Sequence, residues 1–205
     1  MSGWPATLQP TLEGQIVRLE PLGPRHEDDL FQAARPGEIW TWICEPPART
    51  RASWADFFAA ALAETAAGSE SAFATVDAAT GRAIGSTRFL ALRPEDRGLE
   101  IGWTWLARTV WGTGVNVETK LLLLTHAFEI VGCRRVEFKT DARNERSRGA
   151  LEALGAQFEG VLRKHMVVHQ GAARDSAYYS VIDDEWPHLK VRLEDRLTSL
   201  AAERS

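Results

Sequence analysis

Three features of the stretch Leu99–Val131, LEIGWTWLARTVWGTGVNVETKLLLLTHAFEIV, could do chemistry: the carboxylate of Glu100, the glycines Gly112 and Gly114, and the residues that follow them. Two glycines let a turn adopt positive φ without a Cβ penalty. The amides of Gly112, Thr113, Gly114, Val115, Asn116 and Val117 would then open a helix. Its first-turn N–H groups have no intrahelical partner and sit at the positive end of the helix dipole, which makes a phosphate site. Glu100 belongs to the strand that feeds this turn. Strand alternation puts it on one face with Gly102 and Thr104, opposite Leu99, Ile101, Trp103 and Trp105. A carboxylate there could act as a general base, particularly if burial raises its pKa. The plain alternative is an acid on a solvated face or paired with an arginine.

Three phosphate ligands compete for the turn. A nucleoside-triphosphate loop needs Lys followed by Ser or Thr after the glycines, and Val115-Asn116 stand there instead. A dinucleotide fingerprint needs a third glycine where Val117 lies, although Asp141 could supply its ribose-binding acid. An acyl-coenzyme A pyrophosphate would sit on the same amides and is favoured by what surrounds the turn, and a glycine turn with no ligand is the plain alternative.

The elements that must position these residues follow from periodicity and punctuation. Ile16–Leu22 alternates apolar and polar residues as a first strand. Arg25–Arg35 and Ser53–Ala67 read as helices, the second with Ser53 as N-cap and an apolar face of Trp54, Phe57, Phe58, Ala61 and Leu62. Between them, Trp40, Trp42, Pro46 and Pro47 either pack on one another or wall a substrate pocket. Ser71–Asp77 and Arg82–Leu90 form a hairpin, and Leu99–Leu106 is the strand of Glu100. After the central helix come a strand at Arg135–Thr140, a helix at Glu145–Leu154 ended by Gly155, two closing strands at Phe158–Val168 and Ser176–Ile182, and a helix at Glu185–Leu200. Antiparallel strands leading into one βαβ unit require a mixed sheet, hence an α/β class with α+β character.

In this order, the segments resemble the GNAT superfamily of N-acetyltransferases, in the branch that includes the ribosomal-protein N-terminal acetyltransferases. The family's loop pattern, Gln/Arg-x-x-Gly-x-Gly/Ala, aligns with Trp111-Gly112-Thr113-Gly114-Val115-Asn116. Gly114 fits; Trp111 and Asn116 depart from it. TLEGQIVRLEPL, RRVEFKTDARNERSRGALEALGAQFEG and DSAYYSVIDDEW extend the likeness over nearly the whole chain. The resemblance implies one GNAT-like domain over residues 1–205 that binds acetyl-CoA, needs no metal and acetylates a primary amine. Asn144 and Ser147 match the branch's Asn-x-x-Ser, which implies that Asn144 contacts the pantetheine arm and that Ser147 lies near the thioester sulfur. Backbone donors at Trp105 and Leu106 would polarise the thioester carbonyl, and Arg148, with Arg143 and Arg146, would lie near the phosphates. Glu100 would relay the proton that the amine must lose before attack. Without further information, Asn144 also reads as an ordinary N-cap and Ser147 as a first-turn serine. Tyr178 or Tyr179 could replace Ser147 as the acid, though both also suit packing.

With 205 residues, 44% hydrophobic and 25% charged, the composition is that of a globular domain. A formal charge of −4 argues against a general nucleic-acid partner, and no run of apolar residues approaches a membrane span. With no charged and apolar leader at the start, a cytoplasmic location is expected. Cys44 and Cys133 have no metal or redox spacing and read as core residues in a reducing compartment. The five histidines give no metal spacing on a helix. The resemblance implies a peptide N-terminus or a small amine as acceptor, and a homodimer is admissible. The main alternative on the same residues is a non-catalytic acyl-CoA sensor or interaction protein.

Overall fold

The computed structural model describes residue 4 and residues 8–43, 50–168 and 171–202. Cys44, Pro46, Pro47 and His169 lie outside the described residues. Eight strands form one sheet in the order β1-β2-β3-β4-β5-β6-β8-β7. They are β1 Leu12–Glu13, β2 Val17–Pro21, β3 Ser71–Asp77, β4 Ala83–Arg93, β5 Gly98–Leu106, β6 Arg135–Asp141, β7 Gln157–Val167 and β8 Ala173–Ile182. Every neighbouring pair is antiparallel except β5 with β6. The mixed α/β sheet with one parallel crossover is the expected architecture.

Helices cover both faces. Glu27–Ala33 (α1) and Arg51–Ala66 (α2) pack Leu30, Trp54 and Phe58 with Trp40, Ala72, Val76 and Trp105. Val115–Thr125 (α3), Glu145–Leu154 (α4) and Trp186–Ala202 (α5) bury Leu123, Leu124, Leu151, Leu154, Leu189 and Leu193 with Leu99, Ile101, Phe138 and Tyr179. The central helix continues as a π-helical turn over His126–Val131, closed by Gly132 at φ 78°. Cys133 is buried, as expected for a core residue. Among the described residues, no helix is long and apolar enough to cross a membrane.

Local chemistry shifts some boundaries. The cap of α2 is Thr50, which accepts from the Ser53 amide while its own amide donates to Ser53 Oγ at 3.1 Å. This reciprocal box starts the helix two residues before Ser53, where an apolar-pattern reading begins it. Gly155 closes α4 in the left-handed region at φ 100°. The two-residue β1 is too short to show a period in sequence.

One tether fixes the glycine turn to the sheet. Buried Glu118, on the first turn of α3, accepts from the amides of Gln15, Ile16 and Val17 at 2.9, 2.7 and 2.7 Å. Three charge-assisted bonds hold the β1–β2 connection against the start of α3.

Candidate active site

β5 and β6 pair in parallel only through Gly98–Arg135, Leu99–Val136 and Glu100–Glu137. Beyond Glu100 the two strands part. The cleft between them holds about 420 Å³ and runs from the glycine turn past Glu100 to Met166 and Arg174.

A bulge aims the β5 side chains into this cleft. Arg88 of β4 opposes Gly102, whereas Ser86 opposes Trp105, so β5 carries one extra residue there. Trp103 has φ 49°. A bulge of this kind reverses the alternation that follows it. Leu99 and Ile101 face α3, but Trp105 packs on the α2 side with Trp54. Trp103 lies on that side as well, 6.1 Å from Phe57 and under the Arg88 guanidinium at 4.8 Å. Thr104 faces α3, where Lys120 Nζ donates to its hydroxyl at 2.8 Å. The single face expected for Leu99, Ile101, Trp103 and Trp105 is therefore corrected, as is the placement of Thr104 beside Glu100.

Glu100 lies at the point of divergence, 4% exposed, with Oε2 3.2 Å from Lys139 Nζ. The absence of a side chain at Gly102 makes room for it: a Cβ there would lie 2.9 Å from Glu100 Oε1. Burial pushes the Glu100 carboxyl above its ordinary value, and the Lys139 ammonium opposes that rise. The pairing expected as an alternative is present, with a lysine in place of an arginine. It coexists with a position on the cleft wall.

At the other end, Gly112 and Gly114 adopt φ 78° and 91°, and Gly114 is the left-handed N-cap of α3. Val115 and Val117 bury their side chains in the core, so only their backbone is available at the helix mouth, while Asn116 lines the cleft. A Cβ on Gly114 would point toward Ile16, Leu197 and Leu200, so the glycine there serves the backbone conformation, not the approach of a ligand. Trp111 donates from Nε1 to the Leu106 carbonyl at 2.9 Å, and its ring lies under Arg146 at 3.5 Å and Arg108 at 4.6 Å. Burial and the neighbouring Arg108 charge both lower the Arg146 pKa from its usual value. Arg108 is shared with Glu38 at 3.9 Å, which leaves the Arg146 guanidinium beside the positive end of α3 as the charge that a phosphate would relieve.

Asn144 caps α4, accepting from the Ser147 amide at 3.1 Å, and both residues line the cleft. Arg148 does not. Its guanidinium donates to the Tyr179 hydroxyl at 3.1 Å and to the Ala142 carbonyl at 3.2 Å, because one residue further along α4 turns the side chain away from the cleft. Arg146 lines the cleft in its place. Arg143 is engaged by Asp141 at 2.8 Å and faces Trp42 at 5.5 Å. Tyr179 is fully buried and donates to Glu152 at 2.9 Å, which removes it from the site. Trp42 lines the cleft, whereas Trp40 packs on Phe57. Lys120, Lys139, Met166 and Arg174 also line it, and the sequence reading assigned none of them. Among the described residues, no group of three or more His, Cys, Asp or Glu side chains gathers to hold a metal.

The model of the acetyltransferase (GNAT) domain matches residues 17–157. YdaF of Bacillus subtilis (strain 168), provisionally named a ribosomal N-acetyltransferase, is 35% identical over 91 residues, 44% of this chain and 49% of YdaF. The chain thus aligns with about half the length of that relative. A solved structure from T. thermophilus, provisionally assigned as an acetyltransferase, is 41% identical with a TM-score of 0.83, covering 91% of this chain and 96% of that one. A GCN5-related N-acetyltransferase from Brucella melitensis is 34% identical with a TM-score of 0.86, covering 92% and 86%. The split strands, the glycine turn at the mouth of α3 and these matches agree: this chain belongs to the GNAT acetyltransferase family.

Proposed function

We propose that this chain transfers an acetyl group from acetyl-CoA directly to a primary amine, a protein N-terminus or a small amine, as one catalytic domain in the cytoplasm. The observation that carries the reading is one continuous cleft. It joins a phosphate-binding helix mouth to a buried carboxylate across a gap in the sheet. Its residues fit the coenzyme: the α3 amides and Arg146 suit the phosphates, and the backbone at Trp105 and Leu106, with Asn144, suits the pantetheine arm. Glu100 takes the proton from the incoming ammonium, directly or through a water. The freed nitrogen forms a bond to the thioester carbon, the C–S bond breaks with its electron pair on sulfur while Ser147 donates a hydrogen bond to it, and the second proton that the nitrogen sheds in becoming an amide passes to that sulfur, releasing CoA as the thiol. Close placement of amine and thioester supplies much of the rate. The raised pKa of Glu100 makes it a better proton acceptor than an exposed carboxylate, provided the pH is high enough to ionise it. YdaF's name favours a protein amine as acceptor, and the Trp42, Trp103 and Met166 rim suits an apolar stretch beside that amine.

The test joins binding to turnover. Acetyl-CoA at about a hundredfold over its Kd should stabilise the protein by about 2.7 kcal/mol, with NAD and ATP giving far less. Thiol release should follow with members of a panel of N-terminal peptides and small amines. Equal stabilisation by NAD refutes the coenzyme assignment. Tight acetyl-CoA binding with no thiol release from any amine makes the chain a non-catalytic acyl-CoA sensor.

A further inference from the structure

One group in the cleft has no part in this reaction. Lys120 lies one helical turn beyond Asn116, and both line the cleft from α3. It is 5% exposed, and its ammonium hangs 5.5 Å from the Phe138 ring centre. An ammonium has three donors and no acceptor. The hydrogen bond to Thr104 uses one of them. Glu100, the one acid among the lining residues, is already paired with Lys139. Burial alone brings the Lys120 pKa down to about 7. A buried amine of this kind has two donors left over, on the wall of the cleft, where β5 and β6 have parted. An acetyl methyl offers them nothing, whereas a carboxylate accepts both.

We infer that Lys120 recognises the acyl chain, and that the cleft takes, besides acetyl, the coenzyme A thioester of a short dicarboxylic acid whose free carboxylate binds Nζ. This rests on the reading of the cleft as an acyl-CoA site. The transfer balances as before: the amine nitrogen forms the amide bond, the thioester C–S bond breaks onto sulfur, the ammonium's first proton goes to Glu100 and its second to the departing sulfur, which leaves as the CoA thiol. The product is an N-carboxyacyl amine, with its charge reversed relative to the starting ammonium.

Calorimetric titration of the full chain with CoA, acetyl-CoA, malonyl-CoA and succinyl-CoA tests the inference, with Lys120→Met as the apolar variant of similar length and Lys120→Gln as a neutral hydrogen-bonding one. The better of the two carboxyacyl thioesters should bind the native protein about tenfold more tightly than acetyl-CoA. Lys120→Met should remove that preference, Lys120→Gln should retain part of it, and both should bind CoA with the native affinity. A carboxyacyl-to-acetyl ratio that is the same in all three proteins overturns the role of Lys120 while leaving the coenzyme site intact. Failure of the native protein to bind any of the four overturns the coenzyme reading, and the inference with it.

Discussion

Replacing Lys120 by Met should change how stability depends on pH, and the size of the change follows from burial. The native fold holds the Lys120 pKa at about 7, against 10.5 in an exposed chain. Between those values the unfolded state binds more protons than the folded state, so stability rises with pH through that window. At about pH 7 the lysine penalises the fold by roughly 4 kcal/mol, and by about pH 9 the penalty has fallen to roughly 2 kcal/mol. Cys133 sets the upper bound of a clean experiment. Burial pushes its thiol from 9.0 to about 12, so above about pH 9 the unfolded thiol ionises first and stability falls. Urea unfolding at three pH values between about 7 and about 9 should show Lys120→Met more stable than the native protein, with the difference narrowing by about 2 kcal/mol toward the alkaline end. A difference that stays constant with pH, or a variant destabilised throughout, would mean that Lys120 is charged and compensated in the fold. The argument from its unused donors would then fail.

Three further outcomes follow from the site. Glu100→Gln should lower kcat on the order of a hundredfold and abolish the acid limb of the pH–rate profile, which burial displaces upward from 4.5; acetyl-CoA affinity measured by calorimetry should hold, and Ser147→Ala should cost less. Arg146→Ala should weaken coenzyme binding about tenfold, whereas Arg148→Ala should leave the Kd unchanged and lower the melting temperature, because only the first guanidinium lines the cleft. Glu118→Ala strips three amides of their acceptor and should cost about 3 kcal/mol in denaturant unfolding.

Much of this molecule can be read in its residues, and the exceptions have identifiable causes. The strand–glycine–helix unit, the mixed sheet and the cleft positions of Glu100, Asn116, Asn144 and Ser147 all follow from periodicity, turn chemistry and a family pattern. The faces of β5 do not, because the positive φ at Trp103 comes from tertiary packing against Phe57 and Arg88 and not from a glycine that would advertise it. Arg146 and Arg148 are separated by two positions on a helix, and two helical steps rotate a side chain by about 200°. Neighbouring basic residues in the sequence therefore do not make one patch. Lys120 did leave a signal: it follows Asn116 by four residues, immediately before the apolar run Leu121–Leu124. The spacing places it on the cleft face, but nothing in the sequence shows that its ammonium lacks a carboxylate.

The short parallel contact between β5 and β6 has a consequence for how the molecule opens. As paired strands, the block β1–β5 and the block β6–β8 meet at three register positions, while within each block neighbouring strands pair antiparallel. Past Glu100, the edges of β5 and β6 face each other without a rung, and water must satisfy whatever peptide groups they turn to the gap. Amide exchange along this seam should therefore report opening well below the free energy of global unfolding. A ligand carrying its own amides along the gap would supply the missing rungs, so its arrival would be felt as a change in cooperativity across the whole sheet.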